Sequence, residues 1–253
     1  MKTLVATALF LTLFLNSACR EKSGEKEGAA KMGVAQVRFS PAEGETWTYK
    51  AEVKLDPSAR FPAGLIDTGP EGSASTFQKT RRYLGLMPVT ADSDEKAHCF
   101  EISKDGRVEE REFSIFNEEG ILARAWQKAG GERMVIEPTV LVPAQEPPGS
   151  VWSREVPDPN NPSGSPMFSR QFQYFGKEQL QVMGQSQTAH RVKISGKTGP
   201  LHLQRDLWFV DNLGFVKERK AYYLIIESDA EASSNKRIAL IEEILVQHEI
   251  PEK

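Results

Sequence analysis

The sequence predicts an all-β protein, an antiparallel meander built from two similar repeats that form one curved sheet or two packed sheets. Three observations carry this. Beyond residue 36 the chain is a succession of short runs in which apolar and polar residues alternate, the period of a strand with one buried face. Turn residues break those runs at hairpin spacing, most clearly at Lys104-Asp105-Gly106-Arg107, because Asp-Gly readily takes the positive φ angles of a two-residue hairpin loop. Three motifs of the first half also return, in the same order, in the second.

Residues 46–53 alternate Trp47, Tyr49 and Ala51 with polar neighbours. Residues 77–87 form a second run, and 98–103 lead into the Asp-Gly turn. Residues 109–116 follow, then the turn Asn117-Glu118-Glu119-Gly120. Residues 121–127 and 133–137 make a further hairpin across Ala129-Gly130-Gly131. Gly44-Glu45-Thr46-Trp47 then returns as Gly149-Ser150-Val151-Trp152. Ala97-His98-Cys99-Phe100-Glu101-Ile102-Ser103 returns as Ala189-His190-Arg191-Val192-Lys193-Ile194-Ser195. The stretch 116–124 matches 209–217 with one insertion. These matches place the first repeat in residues 36–148 and the second in 149–253.

Residues 138–166 hold eight of the fifteen prolines. Proline lacks the donor a sheet ladder needs, so this stretch reads as the connector between repeats, with an edge strand at 151–156 inside it. Residues 56–75 form a second long loop, of a length often used for lids and binding loops. In 236–250, Ile238, Ile241, Leu245 and His248 fit a helical stripe, whereas Ile238, Leu240, Glu242, Ile244, Val246 and His248 alternate. Correspondence with residues 133–142 favours a strand.

The N-terminus has a different character. Lys2 precedes an uncharged apolar run, 3–15, followed by Asn16, Ser17, Ala18 and Cys19. The run suits a signal peptide and falls short of the ~20 residues that span a bilayer. The small residues before Cys19 resemble the lipobox of bacterial lipoproteins, departing from it at Asn16, where the family usually carries Leu. The resemblance implies a signal peptide over 1–18, lipidation at Cys19 and a flexible tether through residue 35. With Arg20 rather than Asp next to the cysteine, it also implies an outer-membrane anchor facing the periplasm. Cys99 is the one other cysteine, so acylation of Cys19 leaves no pair for an intramolecular disulfide.

Chemistry-bearing patterns are sparse. The 32 basic and 35 acidic residues nearly balance, which gives no basis for expecting a nucleic-acid partner. His98 and His190 occupy equivalent repeat positions on faces shared with apolar residues, which points to buried, hydrogen-bonded histidines; His202 and His248 belong to no motif. Without HExxH, His-x-His or a Cys/His cluster, no metal or cofactor is expected. The pairs Glu109-Glu110, Glu118-Glu119 and Glu242-Glu243 do not converge if on strands, because neighbours there point to opposite faces. Ser163-Gly164-Ser165 lies in the proline-rich connector, outside any nucleophile elbow. No catalytic residue is assigned, and a non-enzymatic binding or structural role is expected.

Trp47, Tyr49, Trp152 and Trp208 lie on expected strands, where period two makes them core. If the curved sheet stays open, they could instead line an apolar groove for a lipid or acyl chain. The expected partners are the membrane, through the anchor, and another envelope protein or an apolar ligand. The Gly-x-x-Trp start of each repeat and the hairpin Trp208-Phe209-Val210-Asp211-Asn212-Leu213-Gly214-Phe215-Val216-Lys217 resemble β-rich envelope lipoproteins. Some of these look like the half-barrels of periplasmic lipoprotein carriers. That resemblance implies the carrier alternative and assigns no residue a role.

Overall fold

In the computed structural model, which describes residues 37–58, 75–157, 167–198, 201–226 and 234–252, every expected alternating run is a strand. The first six are β1 (Thr46–Leu55), β2 (Ser75–Pro88), β3 (Lys96–Lys104), β4 (Arg107–Asn117), β5 (Gly120–Lys128) and β6 (Arg133–Pro143). The second six are β7 (Val151–Pro157), β8 (Met167–Val182), β9 (Gln185–Thr198), β10 (Leu201–Val210), β11 (Gly214–Ile226) and β12 (Ser234–Glu249). The signal segment, Cys19, the tether, most of the 56–75 loop and Ser163-Gly164-Ser165 lie outside the described residues.

All twelve strands belong to one antiparallel sheet in the order β6-β5-β4-β3-β2-β1-β12-β11-β10-β9-β8-β7. Each half is a simple meander, and the halves join where β12 returns beside β1, with Thr46 opposite Glu249 and Val53 opposite Ile241. The sheet curls into a nearly closed barrel in which edge strand β6 lies against β7, β8 and β9. Among the described residues no ladder joins β6 to β7, and the contacts there are made through side chains. The strands, core and interior ion pairs fall within Val34–Lys253, a compact unit distinct from Met1–Gly33.

The halves correspond in detail. The Gly44 and Gly149 amides, both at positive φ, donate to the Tyr83 and Tyr174 carbonyls at 2.9 and 2.7 Å. The Tyr83 and Tyr174 amides donate back to Glu45 and Ser150. The expected Asp105-Gly106 hairpin has φ of 46° and 80°, both in the left-handed region that the loop requires. Pro138 belongs to β6, so the connector starts later than the proline density suggests. An edge strand tolerates proline, and the β5–β6 register is already irregular between Ala123 and Ala125.

The ambiguous C-terminal segment is strand β12. A bulge opposite Thr48/Tyr49 skips Val246, so Leu245 and His248 fall on the same inner face. Ile241, Glu243 and Leu245 are buried, while Ile244 and Val246 are exposed. The helical spacing of Ile241, Leu245 and His248 is thus the product of a bulge in a strand.

Residues 37–45 plug one end of the barrel. Phe39 inserts among Trp47, Phe100, Phe116 and Phe209, with ring centroids 5.2–6.1 Å away. The Asn212 amide donates to the Arg38 carbonyl at 2.6 Å, and the Arg38 amide donates to Asp211. Gly214 makes room for the plug: its φ is +91°, and a Cβ there would sit 2.9 Å from Phe39 Cζ. Truncating a buried aromatic leaves a cavity as well as lost transfer energy. Phe39→Ala is therefore expected to lower stability by about 3–5 kcal/mol in urea unfolding, with the β-sheet signal of the folded state retained.

Candidate functional site: an amphipathic cavity inside the barrel

The alternation of each strand decides what faces inward. On β2, β4, β10, β11 and β12 the inward positions include charged side chains. On β6 to β9 they are mainly apolar. Between them the barrel holds a half-open cavity of about 360 Å³. Ile136 and Leu141 of β6, Trp126 of β5, Val156 of β7, Phe172 of β8 and Ile194 of β9 form its apolar side, around the β6/β7 seam. Lys79, Arg81, Glu110, Glu112, Arg205, Glu218, Lys220 and Glu243 form the polar side.

The polar side is a network of ion pairs. Lys79 Nζ donates to Glu243 Oε2 at 2.7 Å and lies 3.6 Å from Glu218 Oε2. Lys220 Nζ lies 3.2 Å from Glu218 and 3.6 Å from Glu243. Arg205 Nε donates to Glu218. Burial alone would push the Glu218 carboxyl up, but Arg205, Lys220 and Lys79 together hold it well below the usual carboxylate range. Burial likewise works against the Lys79 ammonium, and Glu243 and Glu218 override it upward. Arg81 Nη2 lies 3.3 Å from Glu112 Oε2, and its guanidinium sits 3.9 Å from the Phe100 ring centroid and 5.1 Å from that of Phe215. Glu110 differs: among the described residues it has no ion pair, and burial with the Glu112 charge pushes its carboxyl up.

A second layer is duplicated. Tyr83 Oη lies 2.8 Å from His98 Nδ1, and Tyr174 Oη 2.9 Å from His190 Nδ1. Burial lowers both imidazole pKa values, favouring neutral rings that hydrogen-bond the phenols. His98 stacks on Phe116 at 4.1 Å, and His190 lies edge-on to the equivalent Phe209 at 6.4 Å. His248 stacks on Trp47 and bonds Glu45 Oε1 at 2.6 Å. Cys99 is fully buried on the other face of β3, beside Phe113, and burial pushes its thiol up to about 11, the inert kind of cysteine.

The four aromatic groove candidates separate. Tyr49 lines the cavity, its hydroxyl donating to the Phe215 carbonyl at 2.7 Å. Trp47 belongs to the packed core around Phe39, its Nε1 donating to the Leu213 carbonyl at 2.6 Å. Trp152 stacks on Phe172 and donates across the seam to the Val140 carbonyl at 3.2 Å. Trp208 lies beside Arg191 and Lys217, bonded to Glu178. The charged lining was missed. Its signal was present as charges in phase with other inward residues of the same strand, as in Lys79-x-Arg81-x-Tyr83 and Glu110-x-Glu112-x-Ser114.

No family model matches the sequence, and no curated protein is significantly similar to it. Among solved structures, the chain is similar to a Bacteroides fragilis protein inferred to be exported, with a YmcC-like fold. The likeness has a TM-score of 0.42 at 9% identity and covers 85% of this chain and 99% of the other. A likeness of this degree carries no functional inference.

Two outcomes test the interior electrostatics. Glu218→Gln removes the charge shared by Arg205, Lys79 and Lys220, and breaking such a buried set is expected to cost about 3–5 kcal/mol by urea unfolding. Glu110→Gln should do the opposite at neutral pH. A carboxyl pKa raised by folding gives stability that is fully present below the unfolded value and falls as pH rises towards the folded value. The variant is thus expected to exceed wild type in stability at pH 7, with the difference shrinking towards pH 4.

Proposed function

We propose that this protein is a lipid-anchored binding protein of the bacterial cell envelope, which carries the apolar part of a ligand inside its barrel and catalyses no reaction. The observation that carries the reading is the cavity of about 360 Å³, within the size range of small-molecule sites, with an apolar side opposite a few convergent polar groups. Support for binding over chemistry comes from the interior charges: Lys79, Lys220 and Arg205 are engaged with Glu218 and Glu243. The lipobox-like segment ending at Cys19 and the charged stretch after it support an anchored body on the periplasmic side of the outer membrane.

The test is native mass spectrometry of Val34–Lys253, exported behind a cleavable signal peptide, purified from the periplasm without detergent and compared with the same sample denatured. The expected result is extra mass that disappears on denaturation. A bare protein that also takes up no amphiphile on incubation would overturn the carrier reading.

A further inference from the structure

We infer that the cavity takes an uncharged single-chain molecule with a hydrogen-bonding head, such as a hydroxyl or an ester, its chain on the apolar side around the β6/β7 seam and its head at Glu110. This rests on the carrier reading and specifies its ligand. Three observations point to it.

The first is size. At ~30 Å³ per water-sized volume, about 360 Å³ holds on the order of a dozen non-hydrogen atoms. That is one chain of medium length with a small head, and it excludes a lipid with two long chains.

The second is that the ions of the lining already have partners. Lys79 and Lys220 each pair with both Glu218 and Glu243, Arg205 donates to Glu218, and Arg81 pairs with Glu112. Arg170 and Lys217, which also line the cavity, are engaged as well: Arg170 donates to the Lys197 carbonyl, and Lys217 Nζ lies 4.9 Å from the Trp208 ring centroid. A charged head of either sign would give up its hydration and find these groups in use. It would gain a counter-ion only by breaking an existing pair, which leaves another buried charge behind. An uncharged head meets neither penalty.

The third is the position of Glu110. It lines the cavity without an ion pair among the described residues, and in the sheet order its strand β4 stands between the apolar lining of β5 and β6 and the cations of β2. Two residues from Glu112, it shares that residue's face, and Trp126 of β5 stands opposite Glu112. A head at Glu110 therefore leaves its chain beside Trp126, Ile136 and Leu141. Burial and the Glu112 charge favour the protonated carboxyl, which both donates and accepts a hydrogen bond. An anionic head there would face Glu112, and a cationic one Lys79, Lys220 and Arg205, whose charges reach the same carboxyl.

The experiment is calorimetric titration at neutral pH of Val34–Lys253, which contains the whole barrel, with three probes of equal chain length, each below its solubility or micellar limit: decanol, decanoate and decylammonium. Decanol is expected to bind at least tenfold more tightly than either ion. Glu110→Leu is expected to weaken decanol at least tenfold, and Glu110→Gln, which keeps a neutral donor and acceptor, to restore it. Leu141→Trp, which fills the apolar side, is expected to weaken decanol as much; Ile136→Phe serves if that variant does not fold. Binding of either ion as tightly as the alcohol, or decanol binding undiminished by Glu110→Leu or by the filled cavity, would overturn the inference while leaving a carrier in place. Binding of none of the three would overturn the carrier reading with it.

Discussion

The pairing of β12 with β1 carries the rest of the structure. Without it the chain would be two separate six-stranded meanders, each with two open edges and half an interior. With it, Thr46 and Glu249, 203 residues apart in sequence, come into register, and one sheet of twelve strands curls around a common core. Closing so long a loop costs more entropy than a hairpin does, and it must be met before the non-local contacts form. The large side chains that stabilise the barrel cluster around this junction: Trp47, Tyr49 and Leu245 in the core, with Phe39 inserted from the end.

The junction is also where the interior is charged. Lys79 of β2 reaches across β1 to Glu243 of β12 and Glu218 of β11, so the ion pairs link both halves. Buried pairs of this kind contribute little net stability, because desolvation offsets their attraction. What they do supply is register. A one-residue slip of β12 would turn Glu243 to the outside and break its ion pairs with Lys79 and Lys220. The network therefore discriminates against wrong pairings more than it strengthens the right one.

Much of this was legible in the sequence, for identifiable reasons. Trp47, Tyr49 and Ala51 alternate on a half-buried strand, and Asp105-Gly106 permits few backbones other than its hairpin. The matched motifs around His98 and His190 became matched Tyr–His pairs because both strands kept the same neighbours. The interior charges were harder to see. Charged residues are normally assigned to the solvent face, and only the closing of the barrel turns Lys79, Arg81 and Glu218 inward. Local pattern also could not reveal the bulge at Val246, which depends on the partner strand and decides the face of His248. That Tyr49 of the core also reaches the cavity while Trp47 does not depends on curvature and on the Phe39 plug, neither of which leaves a mark on periodicity.

The missing ladder between β6 and β7 acquires a meaning from the matching halves. β1 corresponds to β7 and β12 to β6, so the seam is the internal counterpart of the β1–β12 junction. An arrangement with full two-fold symmetry, in which the first strand of each half paired with the last strand of the other, would be sealed on both sides. The present chain is sealed on one. Trp47 and Trp152 mark the difference: the first stacks on a histidine inside a continuous ladder, and the second spans a gap. With β1 and β12 holding the molecule together, the other of two equivalent joints is freed from that duty, so that it can change without loss of the whole.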